Sequence, residues 1–290
     1  MIFAWQGWQV QTPEEWNPVN LHGTFEAGYA LLSDIHRPRL GIRWTTPGRG
    51  FDCKRWSREA LVAEIGELAA KEAEACGDER FGDAVLYSEA EPPGRDVWLG
   101  RSSVSGRTFE VVHHVYPGEA PRMKELRERF SDSACNGELA WAVFDLSCAT
   151  AGGWRLASQR MNAGDLSLEF ARKSERMSVR QIAVAHLALK RMPLEKWLEE
   201  QIRPWVKRYR RVGEAAEVTM ATNDGRMLSG ISCRLERRRL MIWGSGTAAI
   251  YAAALHDAKR DRLIFVEAKD ESEAGELARS VGWAAQEVLC

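Results

Sequence analysis

Apolar and polar residues alternate along much of the chain, in a pattern typical of short strands separated by turns. Residues 2–10, 21–33 and 38–46 alternate with the period of two that a half-buried strand shows. Apolar residues then recur at three- and four-residue intervals at Leu61, Ile65, Leu68 and Ala69. That spacing predicts a helix with one buried face, so the chain is expected to open with three strands and a helix.

A similar order of signals recurs in residues 153–205. Asn162-Ala163-Gly164 is a turn between the first two predicted strands, and residues 177–185 form the third. A helix is predicted from Pro193 to Trp205. The recurrence predicts an internal duplication of a strand-strand-strand-helix unit, in which residues 1–76 match 139–208 and Trp16–His22 is an insertion.

The last part of the chain follows a different pattern. Asn223-Asp224-Gly225 predicts a hairpin between strands 217–222 and 226–235. The Ala-rich run Thr247–His256 fits a helix or a strand, and a helix is predicted over Glu271–Val281.

These patterns predict an α+β fold, with antiparallel sheets and helices packed on one face of them. We expect a first sheet-helix unit in residues 1–137 and a second in 138–212, packed together as one domain. A smaller C-terminal α/β unit is expected in residues 213–290, after a junction near Arg210–Gly213.

One stretch of this C-terminal unit resembles a dinucleotide-binding fingerprint. An apolar strand precedes Gly244-Ser245-Gly246, Ala249 takes the third small position, and Glu267 ends the next strand. The resemblance implies a tight turn at Gly244, a pyrophosphate close to Gly246, and ribose hydroxyls on Glu267. It covers about thirty residues, and only one helix follows Glu267, whereas that fold needs further parallel strands. The alternative, a glycine-rich loop between ordinary elements, is therefore favoured, and no cofactor is expected.

Basic residues are concentrated in one part of the chain, although the whole carries a formal net charge of −1. Residues 155–240 contain 19 Lys and Arg against 10 Asp and Glu. Two clusters form a predicted basic belt, which comprises Arg203, Lys207, Arg208, Arg210, Arg211, Arg237, Arg238 and Arg239. Such a belt suits an anionic partner, or acidic segments of a second copy. The alternative is a solvated surface of helix ends and turns.

Composition adds few constraints. The 12 tryptophans outnumber the 5 tyrosines and are expected mostly in the core, with Trp44, Trp141, Leu168, Ile182 and Trp197 buried. The six cysteines lack the paired spacing of a zinc site or a disulfide framework. His113 and His114, on one strand, point to opposite faces, so no metal site is expected. No apolar stretch is long enough to cross a membrane, and a cytoplasmic location is expected.

No motif supplies a catalytic nucleophile with its base, so no catalytic residue is assigned. The sequence favours a non-enzymatic binding or assembly protein that acts through a protein partner or self-association. Two alternatives stay open at this point. One is a nucleic-acid or ribosome-associated factor that uses the basic belt, and the other is a dinucleotide-binding enzyme that uses the Gly244 loop.

Overall fold

The computed structural model describes residues 1–89, 93–120, 122–132, 138–207, 209–237 and 249–282. The described residues divide into two compact units, 1–144 and 145–282. The predicted junction at 212/213 lies within one strand of the second unit.

The first unit contains eleven strands and three short helices among its described residues. They are β1 (Ile2–Trp5), β2 (Trp8–Gln11), β3 (Asn17–Gly23), β4 (Ala27–Ser33), β5 (Pro38–Thr45), α1 (Cys53–Ile65), α2 (Glu67–Ala70), β6 (Glu74–Ala75), β7 (Phe81–Ser88), β8 (Gly94–Ser102), β9 (Thr108–Val115), α3 (Met123–Glu128), β10 (Phe130–Asp132) and β11 (Glu138–Val143). Its large sheet has the order β3-β4-β5-β9-β8-β7-β6, and a smaller one has β10-β2-β1-β11. All of these pairings are antiparallel.

The second unit has the same character in the part of the chain described. Its elements are β12 (Leu146–Ala151), β13 (Arg155–Asn162), β14 (Asp165–Arg172), β15 (Glu175–Ala183), α4 (Ala185–Arg191), α5 (Leu194–Val206), β16 (Tyr209–Ala221), β17 (Met227–Arg237), β18 (Ala249–Asp257), β19 (Arg262–Ala268) and α6 (Glu271–Ser280). Its sheet has the order β13-β14-β15-β19-β18-β17-β16, again antiparallel throughout.

The predicted fold class is wrong. Strands account for 52% of the structure and helices for 20%, so it is a mainly antiparallel β structure. No C-terminal α/β unit is formed by the described residues after 212, because β16–β19 extend the sheet that begins with β13–β15. Nor do the helices form a layer on one face: Leu263 and Phe265 of β19 pack with α5, while their neighbours Ile264 and Val266 are buried on the opposite face.

The predicted bounds of the strand-strand-strand-helix repeat are wrong, because the matching segments are β3-β4-β5-α1 and β13-β14-β15-α4. Residues 2–10 are not one strand, because Gln6 and Gly7 adopt positive φ and turn the chain between β1 and β2. Those two strands belong to the small sheet, and the predicted insertion Trp16–His22 lies largely in β3, the first strand of the large sheet. What the two units share is the order of seven strands, in which β3–β9 follow the same path as β13–β19.

Several local predictions are confirmed. The Asn223-Asp224-Gly225 turn joins β16 to β17, and α5 and α6 lie close to their predicted bounds. The structure also shows the start of α1, where Asp52 caps the helix by accepting a hydrogen bond from the backbone N–H of Arg55. Trp44, Trp141, Leu168 and Trp197 are buried, and Ile182 is partly buried.

Candidate functional site

The glycine motif does not form a strand-helix-strand unit in the described residues. Gly244 and Gly246 lie outside those residues. Ala249 begins β18, which is a strand rather than a helix and runs antiparallel to β19, the strand that carries Glu267. A dinucleotide fingerprint needs a helix after the glycines and a parallel strand beyond it. The described part of the motif supplies neither.

The basic belt is partly assembled and partly neutralised. Arg208, Arg238 and Arg239 lie outside the described residues. Arg203 and Lys207 are at the end of α5. Arg210 on β16 pairs with Glu236 on β17, so Arg237 lies on the opposite face of the sheet from Arg210. Acidic partners lie beside three of these cations: Glu200 beside Arg203, Glu236 beside Arg210, and Glu195 and Glu199 beside Arg211. The free positive charge is smaller than the sequence suggests.

A cavity of about 330 Å³ lies in the second unit between the sheet and the C-terminal half of α5. We call it the α5 pocket. Strands β14, β15 and β19 supply its sheet side through Ser167, Glu169, Ser178, Arg180, Phe265 and Glu267. Helix α5 supplies Gln201, Pro204 and Trp205. Polar groups on the sheet thus meet an aromatic and apolar wall on the helix.

Glu267 is the most deeply buried charged residue in the α5 pocket, with 7% of its surface exposed. The indole Nε1 of Trp205 donates a 2.8 Å hydrogen bond to its Oε2. The pKa of Glu267 is raised to about 7, mainly by burial; the Trp205 hydrogen bond opposes this rise, Glu169 adds to it, and Arg176 opposes it. This carboxyl is therefore half-protonated near neutral pH.

Arg180 is held firmly at the side of the pocket. Its Nε and Nη2 donate to the two carboxylate oxygens of Asp165 at 2.7 and 2.8 Å, and its Nη1 donates to Oε1 of Gln201 at 2.5 Å. The bond from Arg180 lowers the pKa of Asp165. Through these bonds Arg180 links β14, β15 and α5. Because its guanidinium is occupied by Asp165 and Gln201, it does not form an ion pair with Glu267.

The unused hydrogen-bonding capacity of the α5 pocket is mainly that of an acceptor. Among the described residues, neither Glu169 nor Glu267 forms an ion pair. Trp205 lies in the last turn of α5, whose unpaired backbone carbonyls carry partial negative charge. Arg160 and Arg176 also line the pocket: Arg160 pairs with Asp165, and Arg176, at the exposed rim, lowers the pKa of Glu267. A group that donates hydrogen bonds or carries positive charge is the natural complement.

The sequence predicted Glu267 as a binding residue, but for the ribose of a dinucleotide. It did not predict that Trp205 and Arg180 line a site. A signal was present in β15, where Arg176, Ser178 and Arg180 alternate with buried Met177 and Val179. Polar residues on the strand face that a helix covers indicate a lined cavity rather than close packing. Using that signal requires knowing that α5 covers this face, which depends on contacts distant in sequence.

No protein-family model, curated protein or solved structure matches this chain. The described residues also lack two further features. No group of three or more His, Cys, Asp and Glu side chains there is placed to hold a metal ion. In the same part of the chain, no helix has both the length and the apolar character needed to span a membrane.

Proposed function

We propose that this is a non-enzymatic binding protein and that its α5 pocket takes a small organic molecule with a protonated amine. The observation that carries the proposal is the buried Glu267 carboxyl, which faces the cavity and forms no ion pair with a described residue; Arg176, the cation that lowers its pKa, lies at the exposed rim. A buried carboxylate is costly unless an opposite charge compensates it. A ligand ammonium group supplies that charge at the point where it is lacking.

The rest of the ligand is expected to be apolar and preferably flat. Trp205, Pro204 and Phe265 line the pocket beside Glu267. A Trp ring provides a broad apolar surface and also attracts cations to its face. A compact aromatic amine therefore matches both the polar end and the apolar wall.

Three probes of nearly equal shape test this proposal: 2-phenylethylamine, 2-phenylethanol and phenylacetate. They differ mainly in bearing a positive charge, no charge and a negative charge. We expect calorimetric titration at pH 8 to rank their affinities in that order. Glu267→Gln keeps an acceptor for Trp205 but removes the charge, and it should weaken amine binding by about tenfold or more.

A matched control is Glu214→Gln, which removes an exposed carboxylate on β16 away from the pocket. It should leave amine binding unchanged. Equal binding of the amine and the alcohol, or full amine affinity in Glu267→Gln, would contradict the proposal.

Protein partners and self-association stay predictions, as does nucleic acid on the basic belt. Acidic side chains lie beside Arg203, Arg210 and Arg211 and partly neutralise the basic belt. The structure therefore supports polyanion binding less strongly than the count of basic residues in the sequence does. We also propose a cytoplasmic location. It is supported by free thiols at Cys53, Cys76, Cys148 and Cys233, as a reducing compartment would maintain.

A further inference from the structure

The first unit has a cavity of its own, of about 240 Å³, on its large sheet beside the end of α1. Strands β4, β5, β8 and β9 and helix α1 supply its polar lining, which consists of Tyr29, Arg43, Glu64, Arg95, Glu110 and His114. We call it the α1 pocket.

The α1 pocket occupies the position in its sheet that the α5 pocket occupies in the second unit. Both lie over the second, third and fourth strands, which are β4, β5 and β9 in one case and β14, β15 and β19 in the other. The sequences of the third strands, β5 and β15, also align. Residues 39–43 read Arg-Leu-Gly-Ile-Arg and residues 176–180 read Arg-Met-Ser-Val-Arg. This alignment places Arg43 where the second unit has Arg180.

The carboxyls of the α1 pocket, unlike those of the α5 pocket, already have partners. Nη1 of Arg43 donates to Oε1 of Glu110 at 2.7 Å, and Nη1 of Arg95 lies 3.5 Å from Oε2 of Glu64. Burial is the main cause that raises the pKa of Glu110, and Glu64 adds to it.

The α1 pocket, unlike the α5 pocket, has free hydrogen-bond donors on three of its lining side chains. Arg43 and Arg95 use only Nη1 in these side-chain contacts, so each guanidinium keeps unused N–H groups. Tyr29 makes no hydroxyl hydrogen bond to another described residue, and burial raises its pKa, so the hydroxyl keeps its proton. That hydroxyl overlies Gly41, where a Cβ would come within 3.4 Å of it. The three donors converge on one small polar space.

We infer that the α1 pocket is a second binding site, for a small carboxylate that the guanidinium groups of Arg43 and Arg95 and the hydroxyl of Tyr29 hold. Planar guanidinium groups match carboxylate oxygens in geometry as well as charge. The two units thus use equivalent positions for ligands of opposite charge. The difference arises because Arg180 is committed to Asp165 and Gln201, whereas Arg43 retains free donors.

Malonate, with neutral malonamide of similar shape as its control, tests this inference on the full chain. Malonate should bind and malonamide should not. Arg43→Gln should weaken malonate binding by about tenfold or more, because a charge-assisted hydrogen bond is lost. Tyr29→Phe removes only the hydroxyl, so it provides a second variant if Arg43→Gln does not fold. Arg55→Gln, which removes a guanidinium exposed elsewhere on α1, should change nothing.

Each outcome bears on one site alone. Malonate binding that survives in both Arg43→Gln and Tyr29→Phe would overturn the inference, as would no binding to the native protein or equal binding of malonamide. Glu267→Gln should retain malonate binding, and Arg43→Gln should retain 2-phenylethylamine binding. Failure of the α5 proposal is therefore distinguishable from failure of this one.

Discussion

Trp205 and Glu267 are joined by a 2.8 Å hydrogen bond from the indole Nε1 to the carboxyl Oε2. The bond connects the last turn of α5 to strand β19, which is the fourth strand of its sheet. It uses one carboxyl oxygen of Glu267, and we propose that the other receives the ligand. The chemistry proposed for the second unit depends on this pair.

The free energy of unfolding should decrease as the pH rises, because of Glu267. Its pKa is about 7 in the folded protein against an ordinary value of 4.5, so the native state binds the proton more tightly than the unfolded state. The destabilisation is absent at low pH, grows between about pH 4.5 and 7, and reaches about 3 kcal/mol above that range. Glu267→Gln should match the native protein at pH 4.5 and exceed its free energy of unfolding at pH 8. Denaturant unfolding at both pH values measures this, and a constant difference between the two proteins would refute it.

Trp205→Phe should raise the pKa of Glu267 further. The substitution keeps most of the aromatic surface but removes the N–H that stabilises the charged carboxylate. We expect a cost of about 1 kcal/mol in stability and weaker amine binding at pH 7. Carbon NMR of the glutamate carboxyls follows the titration directly. An unchanged or lowered pKa would show that the hydrogen bond does not hold the charge.

Trp197→Ala should destabilise the second unit by about 3–5 kcal/mol. Trp197 is buried in the cluster that holds α5 on the sheet, and its ring meets Phe265 edge-on with centroids 6.5 Å apart. Val206→Ala in the same helix removes a side chain that is 45% exposed, and it should cost less than about 0.5 kcal/mol. Thermal unfolding compares the two. Similar losses in both variants would contradict the assignment of Trp197 to the core.

Asp132→Asn should destabilise the first unit by about 3–5 kcal/mol, since it leaves the guanidinium of Arg107 uncompensated. Arg107 is fully buried and pairs with Asp132 while also donating to the backbone carbonyls of Gln6 and Phe25. Glu59→Gln breaks an exposed pair with Arg55 and should cost less than about 1 kcal/mol. Chemical denaturation ranks the two variants, and equal effects would show that the buried pair contributes no more than a surface one.

Local features of this fold were predictable from sequence, and its long-range organisation was not. Asn223-Asp224-Gly225 and the spacing of Ala274, Leu277 and Ala278 specify a hairpin and a helix through neighbouring residues. The run Leu263–Val266 gives no alternation, because β19 is buried on both faces. Its place between β15 and β18 depends on partners up to about ninety residues away. The pocket residues come together only through that placement, so Glu267 was named without Trp205.

The proton released when an amine binds tests the central claim most directly. Glu267 is half-protonated at pH 7, and an ammonium group beside it should drive it to the charged form. Calorimetric titration of 2-phenylethylamine at pH 7 in phosphate and in Tris, whose ionisation enthalpies differ widely, counts those protons. We expect release of about half a proton per ligand from the native protein and essentially none from Glu267→Gln. No release from the native protein, or equal release from both, would contradict the assignment of Glu267 as the group that receives the ligand.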